Sequence, residues 1–218
     1  MSKANITAAG HTLWSKMPKA NTELFALTYG SLITELLKDY DHDIPEINKQ
    51  LDRIGYSIGV RCIDELLAKC EVNGIEIGPC TKLENTAEVV AKIGFRCFLG
   101  MTCDIANVTD KSFSLFLYEN PLSIFVELPD NEGGAGSKDD EFGGASTTTK
   151  ESAGKPDWSK FKYSNVYCGV IRGALEQVNL KVTCNFVRDV LRGDDVNEIR
   201  VELKEILTEG AGQDYKDE

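Results

Sequence analysis

The 218-residue chain has few histidines and lacks the common motifs of catalytic and metal sites. It contains two histidines, His11 and His42, and neither lies in a motif that would pair it with a nucleophilic cysteine. No Cys-x-x-Cys occurs, and no group of cysteines and histidines has the spacing of zinc ligands. The glycines of 133–144 lack the Gly-Lys-Ser/Thr ending of a phosphate-binding loop. The sequence therefore predicts a protein that is not itself an enzyme and that binds no metal.

Long apolar runs are also missing. No uninterrupted run approaches the roughly 18 residues of a membrane-spanning helix. The first residues, MSKANITAAGHTLW, are too polar for a signal peptide, so we expect a cytoplasmic protein. The seven cysteines, at 62, 70, 80, 97, 103, 168 and 184, are odd in number and scattered, which favours reduced thiols over a disulfide framework.

Basic residues are outnumbered by acidic ones, 24 Lys and Arg against 35 Asp and Glu. The net charge of −11 argues against a nucleic-acid partner. The segment 194–218 alone holds nine acidic residues and three basic ones. Such a run is most often a solvated surface, and its functional alternative is a segment that attracts a basic partner and is repelled by anionic lipid. Composition leaves both interpretations open.

The spacing of apolar residues predicts helices first and strands later. Helical spacing occurs in 21–40, 44–70, 85–100 and 164–178, and strand alternation in 113–117, 182–186 and 199–203. This order predicts an α+β fold in which a helical bundle packs on a small twisted antiparallel sheet. We divide the chain into a flexible leader (1–20), one domain (21–208) with a mobile insertion at 130–160, and an acidic tail (209–218).

Local signals predict where these elements begin. Residues that favour the N-cap position precede four helices: Asn21, Asp43, Asn85 (with Glu88 as a capping box) and Ser164. A further short helix is predicted over 120–126, and 192–195 is predicted to be a turn between two strands.

Glycines interrupt the helices at regular spacing. Gly55 and Gly59 lie one turn apart beside an apolar stripe, and Gly169 and Gly173 repeat that spacing. Each glycine costs about 1 kcal/mol in a helix interior. The pairs indicate close approach of another backbone, with a slender ligand as the alternative. Gly94, between Val90 and Phe98, is another missing side chain on a face predicted to be buried.

Six long stretches make a recognisable pattern in a fixed order. They are NTELFALTYGSLITELLKDY (21–40), GYSIGVRCIDELLAKC (55–70), TAEVVAKIGFRCFLG (86–100), FSLFLYENPLSIFVELP (113–129), YSNVYCGVIRGALE (163–176) and FVRDVLRGDDVNEIRVEL (186–203). Together they resemble core subunits of TRAPP, the transport protein particle of early secretory traffic, of the Bet-three type. The resemblance covers nearly the whole chain apart from the leader, the insertion and the last residues, and it implies the TRAPP-subunit fold.

The resemblance implies a lipid-attachment role for Cys80. A lone cysteine is most often a small buried hydrophobe. Cys80, however, follows a Gly-Pro turn and precedes a helix start, where the helix dipole favours a thiolate. It aligns with the cysteine that carries a palmitoyl thioester in the family, whose acyl chain enters an internal hydrophobic tunnel. Pro79 stands where the family tends to have a basic residue, and this change makes the thiolate less favoured.

The same resemblance implies which residues form the tunnel. Gly94 matches the position at which a small residue keeps the tunnel mouth open. The other tunnel candidates are Val90, Phe98, Ile58 and Cys62.

The resemblance further implies a vesicle-tethering subunit in transport from the endoplasmic reticulum to the Golgi apparatus. Such a subunit pairs with itself and with other TRAPP subunits, and the assembled complex promotes nucleotide exchange on a Rab GTPase at Golgi or vesicle membranes. The acidic end, LTEGAGQDYKDE, is then expected to help engage the GTPase. The alternative is a stand-alone lipid or small-molecule sensor of the same fold, because a tunnel could hold an exchangeable fatty acid.

Overall fold

A computed structural model of the chain describes residues 3–78, 82–129 and 156–207. Its helices are α1 (Lys3–Lys16), α2 (Thr22–Asp39), α3 (Ile44–Val72), α4 (Leu83–Glu88), α5 (Phe95–Leu99) and α6 (Val166–Gln177). A π-helical turn, Val89–Gly94, joins α4 to α5, and short 3-10 turns occur at Trp158–Lys160 and Val190–Arg192. The strands are β1 (Asp104–Ala106), β2 (Ser112–Leu117), β3 (Leu180–Arg188) and β4 (Asn197–Ile206).

The strands form one antiparallel sheet in the order β1-β2-β4-β3, and the helices share its hydrophobic core. Phe113, Leu115 and Leu117 of β2 are completely buried, as the alternating pattern predicted. The α+β prediction is therefore confirmed. Strand β1 was not predicted, because three residues are too few to show alternation. The predicted acidic tail and most of the predicted insertion lie outside the described residues.

Helices α2 and α3 begin where their N-caps were predicted. The Asn21 side chain accepts a hydrogen bond from the backbone N–H of Leu24 (2.7 Å), and Asp43 accepts one from Glu46 (3.1 Å). Pro45 lies in the first turn of α3, where its missing N–H leaves no helical hydrogen bond unmade.

The paired glycines bring α3 and α6 into backbone contact. A Cβ atom added to Gly55 would overlap the carbonyl oxygen of Val166 and lie 2.9 Å from its carbonyl carbon. One added to Gly59 would overlap the carbonyl oxygen of Val170. Of the two explanations for this spacing, close approach of another backbone is confirmed for both positions.

The two glycines of α6 contact the backbone of α3 in the same way. A Cβ atom on Gly169 would overlap the carbonyl oxygen of Asp52 and lie 2.7 Å from the backbone nitrogen of Tyr56. One on Gly173 would overlap the carbonyl oxygen of Tyr56. Arg172 reinforces the crossing, because it forms an ion pair with Asp52 and its guanidinium lies 4.6 Å from the ring centroid of Tyr56.

Two predicted helix starts and one predicted short helix are wrong. The helix predicted to begin after Asn85 is α4, and it begins at Leu83, because this earlier start buries Leu83 in the core. Residues 121–125 form turns rather than a helix, with the Asn120 side chain accepting from the backbone N–H of Leu122 (3.1 Å). Ser164 does not cap α6: Asn165 occupies the N-cap position, and the Ser164 hydroxyl accepts from the Asn120 side chain.

The last part of the predicted mobile insertion is ordered structure. Trp158–Lys160 is a 3-10 turn, and the ring of Trp158 packs edge-on against Phe161 at 5.9 Å. The predicted turn at 192–195 is confirmed, with Gly193 at φ 90°.

Within the predicted flexible leader, residues 3–16 form helix α1. Its apolar residues pack in a second hydrophobic cluster, which we call the α1 cluster: Ile6, Ala9, Leu13, Leu66, Cys70, Ile93 and Cys97. A Cβ atom on Gly10 would overlap the carbonyl oxygen of Lys92, so α1 lies directly on the π turn. Trp14 packs against Gly100, whose φ of 73° ends α5 in the left-handed conformation.

Truncation of Leu13 tests whether α1 is docked in solution. Leu13 is 1% exposed, and we expect Leu13→Ala to lower the free energy of unfolding by about 2 kcal/mol. The loss of stability is limited to that of the docked helix, because α1 can detach while the rest of the chain stays folded. Hydrogen exchange of residues 3–17 and urea denaturation measure both effects. Thr12→Ala, on the exposed face of the same helix, is the matched control. Equal protection in the two variants would mean that α1 does not dock.

Candidate functional site

An apolar cavity of about 370 Å³ lies inside the helical layer. Helices α3 and α6 form one wall, and α2, α4, the π turn and α5 form the other. Its lining residues are almost all hydrophobic: Phe25, Tyr29, Ile58, Cys62, Ile63, Leu66, Leu67, Ile77, Thr86, Val89, Val90, Gly94, Phe95, Phe98, Leu99, Leu122, Val166, Tyr167, Val170, Ile171, Ala174, Leu175 and Val178. Ile58 and Leu67 are 41% and 45% exposed, so the cavity reaches solvent on their side.

The structure brings all five predicted tunnel residues to this cavity. Gly94, Val90 and Phe98 line it from the π turn and α5, and they face Ile58 and Cys62 of α3. Cys80 and Pro79 lie outside the described residues. The chain on both sides of them reaches the cavity, because Ile77 and Thr86 are lining residues.

Gly94 leaves an open space on the cavity wall. The nearest atom to a Cβ built on this residue, apart from its own helical neighbours, is the carbonyl oxygen of Val89 at 3.9 Å. This is an ordinary van der Waals contact, in contrast to the overlaps at Gly55 and Gly169. Gly94 closes the π turn, a conformation that is uncommon in helices and that often occurs at functional sites.

The polar groups on the cavity wall already have partners. The Tyr29 hydroxyl donates to the carbonyl oxygen of Tyr163 (2.6 Å), and the Tyr167 hydroxyl donates to the Asn120 side chain (3.3 Å). Burial raises the pKa of both tyrosines, which keeps them neutral. The Thr86 hydroxyl donates to the carbonyl oxygen of Lys82 (3.4 Å). The wall therefore selects an apolar ligand, because a polar one would lose its hydrogen bonds to water.

Cys62 is a thiol on the wall of the cavity, and its environment suppresses its reactivity. Burial raises the pKa of the Cys62 thiol, and the nearby charge of Glu65 raises it further. The protonated thiol is a poor nucleophile at neutral pH. The six cysteines in the described part of the chain are all free thiols, as predicted for a reduced protein.

Sequence reasoning missed the contribution of α2 and α6 to the cavity. Phe25 of α2, Val170 and Ala174 of α6 and Val178, which follows α6, line it together with the predicted residues. They belong to apolar helical faces, which was the available signal. A face that contacts other side chains and a face that borders a cavity have the same periodicity, so the sequence could not separate the two cases.

The described residues contain neither a metal-binding group nor a helix that could span a membrane. Within 3–78, 82–129 and 156–207, no group of three His, Cys, Asp or Glu side chains is placed to hold a metal ion. Over the same residues, no helix combines the length and apolar character that a bilayer span requires.

Comparison with known proteins identifies the family. The sequence model of the transport protein particle (TRAPP) component family matches residues 25–202. This chain belongs to the TRAPP component family. It is similar to trafficking protein particle complex subunit 3 of Dictyostelium discoideum, with 41% identity over 202 residues that cover 92% of each chain. Similarity to transport protein particle subunit bet3 of Schizosaccharomyces pombe is 41% identity over 211 residues, or 96% of each chain.

A solved TRAPP structure also matches. It is the crystal structure of trafficking protein particle complex subunit 3 from Naegleria fowleri covalently bound to palmitic acid. The TM-score is 0.69 at 41% identity, and the match covers 87% of this chain and 98% of the other. The predicted TRAPP membership and TRAPP-subunit fold are thus confirmed.

Proposed function

We propose that this TRAPP component is a core subunit of the TRAPP vesicle-tethering complex and carries a palmitoyl chain on Cys80, inside the apolar cavity. The observation that carries the proposal is an almost wholly apolar cavity whose lining includes Ile77, three residues before Cys80. Three Cα–Cα steps span at most about 11 Å, so the Cys80 backbone is tethered close to the cavity. On the other side, Leu83 is buried in the core, again three residues away.

The chemistry of attachment needs only a thiol and an activated acyl donor. The Cys80 thiolate attacks the carbonyl carbon of an acyl thioester such as acyl-coenzyme A. A new C–S bond forms, the donor C–S bond breaks, and the donor thiolate leaves and takes up a proton. Among the other thiols, Cys62 borders the cavity but is held protonated, which leaves Cys80 as the favoured nucleophile.

Burial of the acyl chain would stabilise the fold strongly. At about 0.8 kcal/mol per buried methylene, a full chain contributes on the order of 10 kcal/mol before its ordering cost. A lipid held in this way acts as part of the core and not as a membrane anchor. The Naegleria fowleri relative is covalently bound to palmitic acid, which supports covalent attachment of the lipid.

The partners follow from membership in the family. We propose that the chain pairs with itself and with other TRAPP subunits, and that nucleotide exchange on a Rab GTPase belongs to the assembled complex. Exposed apolar side chains on α2 and the 121–125 turn support subunit contacts: Leu24, Leu27, Ile124 and Phe125. The complex would act in the cytoplasm at endoplasmic reticulum and cis-Golgi membranes, with the acidic tail contacting the GTPase.

Mass spectrometry of the intact protein tests the lipid proposal. We expect protein purified from a eukaryotic host to carry the mass of a palmitoyl group and to lose it in neutral hydroxylamine, which cleaves thioesters. Cys80→Ser should lack the added mass, whereas Cys62→Ser, the matched control on the cavity wall, should retain it. An unmodified wild-type chain would contradict the proposal. A lipid that solvent extracts from the native protein without hydroxylamine would instead support the sensor alternative.

A further inference from the structure

A second cleft lies at the end of α5, separated from the apolar cavity by one side chain. It has a volume of about 340 Å³ and is lined by Thr22, Leu99, Gly100, Met101, Glu119, Asn120, Pro121 and Ile124. Leu99 is the residue that lines both spaces. Leu122 borders the cavity and Pro121 borders the cleft, so this turn also lies between the two spaces, as Leu99 does.

The two spaces differ in chemistry. The cavity wall is almost wholly apolar, whereas the cleft presents Glu119, Asn120 and Thr22 among its few residues. A methylene group gains free energy when it leaves water for an apolar site. It gains far less beside a charged carboxylate and an amide, because these groups keep their water. On the side of the cleft, the favourable region for an alkyl chain therefore ends at Leu99.

The backbone at Leu99 is firmly held. Gly100 follows it in the left-handed conformation (φ 73°), and the ring of Trp14 packs against Gly100. Arg96 donates a hydrogen bond to the carbonyl oxygen of Gly100 and lies 5.8 Å from the Trp14 ring centroid. These contacts of Gly100 with helix α1 and with Arg96 hold the backbone next to Leu99 in place.

We propose that Leu99 is the end stop of the acyl-binding cavity and sets the longest alkyl chain that the protein binds tightly. This inference rests on the proposed lipid function of the cavity. It concerns the length preference of the cavity, so it does not depend on whether the chain is held by a thioester.

The test uses free fatty acids of graded length and a Cys80→Ser background that excludes covalent attachment. Binding of saturated acids from lauric to arachidic is measured by calorimetry, with the circular dichroism spectrum as the check on folding. We expect Leu99→Ala to move the preferred acid one step up the series. The affinity for that longer acid should rise by at most roughly tenfold, because its last two methylenes would occupy the space of the removed leucine side chain, on the cavity side of the cleft. Leu99→Phe should move the preference one step down.

Two further variants keep the test decisive. Leu99→Val removes less volume and should shift the preference in the same direction as Leu99→Ala, which covers the case in which the alanine variant does not fold. Leu67→Ala is the matched control, because Leu67 lines only the solvent-facing side of the cavity and its removal opens space to water. Its length preference should equal that of the parent.

The outcomes separate the two proposals. If the parent binds fatty acids but the Leu99 variants keep the same length preference, the end-stop role of Leu99 is wrong and the lipid function stands. If the parent binds no acid of any length, the end stop fails, whereas the thioester on Cys80 is decided separately by the intact mass of the wild-type protein. A shift of equal size in Leu67→Ala would show that any enlargement changes the preference, and this result would also overturn the role of Leu99.

Discussion

Gly169→Ala should lower the free energy of unfolding by about 3 kcal/mol or more, although it adds a single methyl group. The new Cβ would overlap the carbonyl oxygen of Asp52 and approach the backbone nitrogen of Tyr56 to 2.7 Å. Both atoms belong to the α3 backbone, so no side-chain rotation relieves the overlap, and the two helices must move apart. The separation would weaken the core along the whole length of the crossing.

The matched control for Gly169→Ala is Gly94→Ala. Both glycines lie in helical segments, so the gain in helix propensity, about 1 kcal/mol, is similar for the two changes. At position 94 the added Cβ meets only an ordinary contact at 3.9 Å, and the variant should be at least as stable as the parent. Urea denaturation of acyl-free protein compares the variants. Equal stability of Gly169→Ala and Gly94→Ala would refute the backbone contact between α3 and α6.

Gly94→Leu should abolish lipid loading while leaving the acyl-free fold intact. The leucine side chain would project into the cavity from the π turn and occupy space that the proposed acyl chain needs. Acylated protein would therefore be absent in this variant, and the stabilisation of up to about 10 kcal/mol that a buried chain provides would be lost with it. Intact mass measures the occupancy, and thermal denaturation before and after hydroxylamine measures the stabilisation.

Gly94→Ala is again the control, because its smaller side chain leaves most of the cavity open. We expect it to remain acylated, with unchanged hydroxylamine sensitivity. Full acylation of Gly94→Leu would mean that the lipid does not run past residue 94. A collapse of the acyl-free variant would instead show that the space beside Gly94 is part of the packed core.

The glycines show what the sequence could predict and where it stopped. The spacing of Gly55 with Gly59 and of Gly169 with Gly173 predicted a close approach, and the structure confirmed a backbone as the neighbour. In sequence Gly94 looks like another such position. Its open side was implied by the family resemblance and not by the pattern of residues, because whether a missing side chain makes a contact or a space depends on the element packed opposite.

The sequence misplaced one helix start because burial of a core residue competes with capping, and it did not predict α1 because the contacts of that helix are distant in sequence. Asn85 has the right spacing to Glu88 for a capping box, but the burial of Leu83 favours an earlier start. Ile6, Ala9 and Leu13 do recur at helical spacing, but they are too few in a polar segment to predict a docked helix. Their partners, such as Ile93, lie far away in the sequence, so the energy that orders α1 is tertiary.

The π turn at Val89–Gly94 has a consequence for comparing related chains. A π turn differs from α-helix by one extra residue, and each residue advances an α-helix by about 100°. Deletion of one residue in this turn would rotate every later position of α5 relative to α4, so that a neighbour of Gly94 would face the cavity in its place. A homologue with a single-residue gap at 89–94 would therefore bring a bulky side chain to this wall, and the gap itself would mark a subunit that holds no lipid.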